Sequence, residues 1–292
     1  MHADEVGTDA ALVRRLVEAQ FPEWAGLAVE PVPFRGTDNA LFRLGDDKVV
    51  RLPTRPRTAV TLEKERRLLP KLAPHLPLAV PTPLAEGEPG EGYPFTWSVY
   101  RWLPGKTVIE APVADPRQAA LDLAGFIAAL QRIDPTGGPG PAGPNFGRGE
   151  PLANRDEPVR AAITALGAHD RAAAWEEALN VPEWAGRPVW IHGDLDARNV
   201  LVEDGRLSAV IDFGSVGVGD PACDVMVAWK LFDAASRETF RSELAVDDAT
   251  WARARGWALS QALVALAYYT LETNPVLVRE AQKWLEELDA EA

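Results

Sequence analysis

His192, Asp194, Asp196, Arg198 and Asn199 crowd one short stretch of the chain, directly after the apolar run Val189–Ile191. A second apolar run, 199–202, turns at Glu203-Asp204-Gly205 and returns over Leu207–Phe213, a pattern that predicts a hairpin. By two-residue alternation Leu207, Ala209, Ile211 and Phe213 share one face of the return strand, and Val210 and Asp212 share the other. Asp194, Asn199 and Asp212 then come from the two ends of one small hairpin and are expected to converge. Two carboxylates and an amide oxygen are poor ligands for soft metals. They suit a hard cation such as Mg²⁺ carried on substrate phosphates.

The spacing HxDxxxxN over 192–199, followed by Asp212-Phe213-Gly214, resembles the catalytic signature of protein-kinase-like phosphotransferases. Written out as HGDL…N…IDFG…GDPACD, it is more similar to the small-molecule branch, the aminoglycoside phosphotransferase family. The resemblance runs from about Gly36 to Asp224. It implies an α+β, protein-kinase-like bilobal fold. A small antiparallel-sheet lobe over 1–103 would bind nucleotide and end in a hinge, and a mainly helical lobe over 104–292 would hold catalysis and the acceptor.

The same resemblance implies roles. Asp194 would orient the acceptor hydroxyl and take its proton. A carboxylate of pKa ~4 is a weak base for an alcohol, so proton removal is late and positioning counts for more. Asn199 and Asp212 would hold Mg²⁺ bridging the phosphates of ATP, with GTP left open as donor. Arg198 either stabilises the moving phosphoryl group or is neutralised by Asp196; the catalytic role is the one expected here, with Asp196 held as a substrate contact. His192 is expected to be a structural member of the loop. Asp220 and Asp224 would brace it, although Asp220, followed by Pro221, also suits a helix N-cap.

The elements that must position these groups are legible in outline. Thr8 or Asp9 can cap a first helix with an apolar stripe of Leu12, Val13, Leu16 and Val17. From about Leu27 to Leu52 the pattern turns to short extended segments, predicting a small antiparallel sheet. Its turn holding Gly36 and Asn39 has one glycine and alone reads as an ordinary hairpin turn; the resemblance makes it the phosphate-covering loop. Residues 47–52 read as a strand with Arg51 facing opposite Val50 and Leu52. In the following helix, roughly Thr58–Leu72, Glu65 falls on the face of Leu62, Leu69 and Leu72. A lone carboxylate in an apolar stripe is costly unless a cation meets it, and Arg51 is the expected partner. The family usually has lysine at the position of Arg51, so this is a departure that keeps the charge and adds a fork for phosphate oxygens. Lys48, three residues earlier, falls on the other face. Phe95–Trp102 is an apolar, aromatic strand ending at Leu103-Pro104-Gly105; the resemblance places a hinge there, with backbone groups of Tyr100, Trp102 and Leu103 at the adenine edge. Pro135–Pro151, rich in Pro and Gly, is a loop of the length that marks lids or linkers, and is expected to be a flap over the acceptor.

Two absences bear on the acceptor. Gly193 stands where the protein-kinase HRD motif has arginine, and only Ser215–Gly219 separates Gly214 from Asp220, which leaves no room for a long activation segment. A small-molecule acceptor follows better than a protein. The segment after Asp224 reads as helical, and in the family its helices carry acceptor specificity; Trp229, Asp233, Tyr268, Tyr269 and Glu272 are the candidates.

The 292 residues suffice for two lobes and a large core, and 47% of them are hydrophobic. A net charge of −13 argues against nucleic acid and favours a cationic partner. No apolar run is long enough to span a bilayer, the acidic start lacks a secretory leader, and Cys223 is the lone cysteine; together these predict a cytoplasmic protein with no intrachain disulfide. The expectation is an ATP- and Mg²⁺-dependent phosphotransferase acting on an aminoglycoside-type antibiotic, with macrolides, amino alcohols and sugars open within the same chemistry. A nucleotide-binding protein without catalysis is the alternative of another class, and the intact Asp194–Asn199–Asp212 set argues against it.

Overall fold

The structure, a computed structural model, describes residues 6–32, 39–142 and 145–291. It divides into two compact units: one within Met1–Pro104 plus Ala209–Gly214, the other Gly105–Ser208 plus Ser215–Ala292.

In the first unit, helix α1 (Ala10–Gln20) is capped by Asp9, whose Oδ1 accepts the Leu12 N–H at 2.7 Å. Its stripe of Leu12, Val13, Leu16 and Val17 is buried. The strands β1 (Val29–Pro31), β2 (Asn39–Leu44) and β3 (Lys48–Pro53) precede helix α2 (Pro56–Leu72). Strands β4 (Pro83–Gly87) and β5 (Trp97–Arg101) follow, and the five form an antiparallel sheet in the order β1-β2-β3-β5-β4. Alternate residues of its inner face (Phe42, Leu44, Val50, Leu52, Trp97, Val99) close a core with α1. Gly87 lies opposite Trp97 in the ladder, where any Cβ would enter the indole ring; only glycine fits.

The second unit begins with β6 (Lys106–Thr107) and α3 (Pro116–Arg132), the latter capped by Asp115 with proline at its first position. Helices α4 (Asp156–Leu166) and α5 (Ala172–Leu179) lead to β7 (Val189–Ile191). Then come β8 (Val200–Glu203), β9 (Arg206–Val210) and β10 (Gly217–Gly219). Two short helices, α6 (Ala222–Val225) and α7 (Val227–Leu231), precede α8 (Ala234–Leu244), α9 (Asp248–Tyr268) and α10 (Pro275–Asp289). β6, β8 and β9 make a three-stranded sheet, and β7 pairs antiparallel with β10. α9 is buried on nearly every side from Arg253 to Leu263 and packs on α10 through Ala262, Leu277, Ala281 and Trp284. No helix among the described residues is long and apolar enough to cross a membrane.

One local expectation is corrected. The hairpin forms, but its return strand stops at Val210 and does not reach Phe213. Asp212 has φ +64°, in the left-handed region, and Phe213–Ser215 is a 3₁₀ turn, so the alternation fails at Asp212. The 135–151 loop is not a floppy linker in its described part. Asn145 is fully buried and donates to the carbonyls of Pro139 (3.2 Å) and Gly140 (2.6 Å). The Val218 N–H donates to Pro139 (2.8 Å) and the Asp220 N–H to Gly149 (3.0 Å), which lays the loop along β10. Residues 143 and 144 lie outside the described residues.

Candidate active site

Within the first unit, β3 turns Val50 and Leu52 into the core and Arg51 to the other face, where it meets Glu65 of α2 in a buried ion pair. Burial works against both charges; it pushes the Glu65 carboxyl up, while the adjacent Glu65 charge keeps the Arg51 guanidinium protonated more firmly than usual. Arg51 also lies 5.3 Å from the Tyr100 ring, and its Nη2 is 3.8 Å from Asp212 Oδ1. Lys48 bonds instead to Asp47, at 2.7 Å. Removing one member of a buried pair strands the other charge. Glu65→Ala is therefore expected to destabilise the protein by about 3–5 kcal/mol, read as a lower urea midpoint at unchanged m. A loss under about 1 kcal/mol would mean the pair is solvated after all.

The rest of the expected nucleotide set is distributed as follows. Gly36 lies outside the described residues. Asn39 opens β2, with its Oδ1 buried and without a partner among the described residues. At the end of β5, the Arg101 N–H donates to Thr82 (2.9 Å) and the Trp102 N–H to Asp47 (2.8 Å), so those two amides are already engaged. Tyr100 is buried in the ladder, the Trp102 ring lies 4.2 Å from the Arg43 guanidinium, and Leu103 follows the last of these bonds. Asp212, two residues past the end of β9, has half of its side chain exposed.

In the second unit, Asp224 of α6 fixes the loop between β7 and β8. Its two carboxylate oxygens accept the N–H groups of His192 (2.7 Å) and Gly193 (2.8 Å). Gly193 has φ +83°, and a Cβ there would stand 2.7 Å from the Ser215 carbonyl oxygen and 3.2 Å from Arg148 Cβ. Any side chain at 193, an HRD-type arginine included, is sterically shut out. Asp220 both caps, accepting the Ala222 N–H at 2.9 Å, and pairs with Arg253 of α9 at 2.7 Å. Buried His192 accepts the Asp194 N–H on Nδ1 at 3.2 Å.

Asp194 then projects from a braced loop. Arg148 Nη2 lies 3.3 Å from its Oδ1, and Asn199 Nδ2 lies 3.5 Å from its Oδ2. Burial pushes the Asp194 carboxyl up, but Arg148, Lys230, Arg198 and His192 outweigh it and hold the group below the usual carboxylate range. Asn199 gives Nδ2 to the Asp194 carbonyl at 2.8 Å, which fixes the amide and turns its Oδ1 away. Lys230 of α7 is buried, donates to Gln261 Oε1 (2.6 Å) and the Leu195 carbonyl (3.4 Å), and sits 4.4 Å from the Trp284 ring. Burial pushes it down to about 8, opposed by Asp196 and Asp194.

The remaining expected contacts fall in different surroundings. Asp196 is buried and takes both the backbone N–H and the guanidinium of Arg198, the arrangement of the alternative in which the two neutralise each other. Trp229 is fully buried, stacked on Trp251 at 4.5 Å and bonded to Glu291 at 2.7 Å; it is core. Asp233 is the N-cap of α8, accepting the Ser236 N–H at 2.9 Å. Tyr268 is 63% exposed and edge-on to Tyr269, about two helical turns beyond Gln261. Glu272 lies in the exposed turn tied by Thr270 and Thr273.

Two residues of the site escaped the sequence reading. Lys230 could have been found as a lone charge within the apolar run 225–232. Arg148, between two glycines of a loop with no periodicity, left no such trace.

Among the described residues no group of three or more His, Cys, Asp or Glu could hold a metal ion. A protein cage is not required for Mg²⁺ on nucleotide phosphates, where one or two hard oxygens suffice, and the Asp212 carboxylate and the Asn199 amide oxygen are of that kind.

Residues 29–257 match the profile of the phosphotransferase enzyme family, APH. The chain belongs to this family and is a phosphotransferase that acts on an alcohol group. A search of curated protein sequences found no significant match. Solved structures do match. A GDP complex of a point mutant of aminoglycoside 2'-phosphotransferase-IIIa is 21% identical with TM-score 0.77, covering 97% of this chain and 98% of its own. The GDP and kanamycin complex of APH(2")-IIIa is 22% identical with TM-score 0.75, covering 96% and 98%. The macrolide 2'-phosphotransferase MphH from Brachybacterium faecium is 25% identical with TM-score 0.62, covering 94% and 97%. The fold is therefore that of the protein-kinase-like small-molecule kinases.

Proposed function

We propose that this chain transfers the γ-phosphoryl group of ATP, carried as its Mg²⁺ complex, to a hydroxyl of an aminoglycoside-type antibiotic and thereby inactivates it. The observation that carries the reading is Asp194: an ionised carboxylate on a loop fastened by Asp224, with one oxygen held by Arg148. Such a group orients a hydroxyl and accepts its proton late, as a loose phosphoryl-transfer transition state requires. Arg51, held by Glu65, would offer its guanidinium fork to the donor phosphates, with Gly36 and Asn39 at the covering loop and Tyr100, Trp102 and Leu103 along the base. Asn199 and Asp212 would hold Mg²⁺, which when bound neutralises charge on the phosphates.

Two observations favour an aminoglycoside: the kanamycin bound by one structural neighbour, and the net charge of −13, which attracts polycations. Tyr268, Tyr269 and Glu272 are the acceptor contacts that remain from the C-terminal helices. A macrolide is the second reading, favoured by the higher identity to MphH. The GDP in two neighbours makes GTP the donor to compare with ATP. A nucleoside triphosphate donor and a single buried thiol, Cys223, fit work in a reducing cytoplasm. The test is donor consumption with ATP or GTP against aminoglycosides, macrolides and amino alcohols. Turnover confined to aminoglycosides supports the reading, turnover confined to macrolides replaces it with the second, and turnover on amino alcohols alone rejects both antibiotics.

A further inference from the structure

Arg148 is built into place with unusual care for a loop residue. It stands between Gly147 (φ +72°) and Gly149 (φ +80°), two backbone positions that side chains rarely adopt. A Cβ on Gly149 would come within 2.7 Å of Ile191 Cδ1 and 3.0 Å of Gly219 Cα, so the loop backbone is pressed directly against β7 and β10. The Gly149 carbonyl is fixed by the Asp220 N–H on one side, and buried Asn145 anchors the other. The Arg148 Cβ fills space that a side chain at Gly193 would need. Position 193 carries no side chain, and a guanidinium reaches Asp194 from a different segment of the chain.

Its chemistry sets it apart from the other cations facing Asp194. Arg198 is committed to Asp196, Lys230 to Gln261 and the Leu195 carbonyl, and His192 Nδ1 accepts the Asp194 amide N–H. Arg148 reaches Asp194 Oδ1 itself through one N–H at 3.3 Å, while its Nε is buried without a partner among the described residues. A guanidinium has five N–H donors in a planar fork that matches phosphoryl oxygens. Oδ1 is held by Arg148, while Oδ2 meets only the long 3.5 Å approach of Asn199 Nδ2 and keeps lone pairs for an acceptor hydroxyl.

We propose that Arg148 is a catalytic residue that holds Asp194 Oδ1 before transfer and passes its charge to the phosphoryl oxygens as Asp194 takes the acceptor's proton. The step balances. The bond from phosphorus to the acceptor oxygen forms, the bond to the bridging oxygen of the donor breaks, the nucleoside diphosphate leaves, and the hydroxyl proton ends on Asp194. The carboxylate thus loses its charge as the new phosphate monoester needs a cation. This role rests on the phosphoryl-transfer reading above.

The test uses full-length Arg148→Ala and Arg148→Lys. Loss of one preorganised donor at the reacting group predicts kcat lower by ~10²–10³-fold in Arg148→Ala, with donor Kd changed less than about threefold. Arg148→Lys and millimolar guanidinium added to Arg148→Ala should each restore about tenfold, with no effect of guanidinium on the parent protein. A kcat change under about threefold, or a loss that neither lysine nor guanidinium relieves, overturns the proposal in favour of a packing role. If the parent protein turns over no acceptor, the phosphoryl-transfer reading falls on that result, whereas a parent that turns over with Arg148→Ala unimpaired refutes the Arg148 role alone.

Discussion

Asp194→Asn is expected to lower turnover by ~10²–10⁴-fold while leaving nucleotide affinity unchanged. The substitution keeps the size of the side chain and the loop around it. The braces from Asp224 to His192 and Gly193, and from His192 to the Asp194 amide, do not involve the carboxylate. What is lost is the proposed acceptor for the hydroxyl proton and the negative charge opposite Arg148. The variant should melt close to the parent, because the ion pair removed is partly solvated and single-contact. Steady-state kcat and a direct nucleotide titration on the same preparation separate the two effects. A fall in kcat of less than about tenfold would remove Asp194 from the chemistry.

The second large effect is expected at Asp212. Asp212→Asn should cut kcat by ~10²–10³-fold and raise the Mg²⁺ concentration needed for half-maximal rate, since an amide oxygen binds a hard dication far less well than a carboxylate. Asparagine is the informative substitution. Asp212 sits at φ +64°, a conformation asparagine tolerates and alanine does not, so Asp212→Asn changes the ligand without adding backbone strain. Its Oδ1 is 3.8 Å from Arg51, whose main partner is Glu65, so the buried pair survives the change. A magnesium titration with unchanged midpoint would show that Asp212 does not hold the metal.

The candidate catalytic stretch stands out because phosphoryl transfer demands particular residue types at short range: the spacing of His192, Asp194, Asn199, Asp212 and the GDPACD run compresses into 33 residues, 192 to 224. The Arg51–Glu65 pair was legible for a different reason. A carboxylate on an apolar helix face must be met by a cation, and helical and strand periodicity point to the same arginine. Alternation failed at Asp212 because hydrophobic pattern carries no information on the sign of φ; Ile211 and Phe213 continue the period while the backbone has already left the strand. Arg148 was invisible because its partner is 46 residues away and its loop has no period at all. The surroundings of Trp229, Asp233 and Asp196 were hidden for one reason: an aromatic or an acid on a C-terminal helix or loop has the same letter whether it faces a ligand, caps a helix or completes a core.

A small-molecule hydroxyl is expected to leave this protein phosphorylated through Asp194. Mass spectrometry of the acceptor tests it most directly, after incubation with Mg²⁺ and ATP or GTP, the parent protein beside Asp194→Asn. The predicted result is an aminoglycoside heavier by one phosphoryl group, formed in step with nucleoside diphosphate and missing from the variant. Tight nucleotide binding with every aminoglycoside, macrolide and amino alcohol recovered unmodified would contradict it.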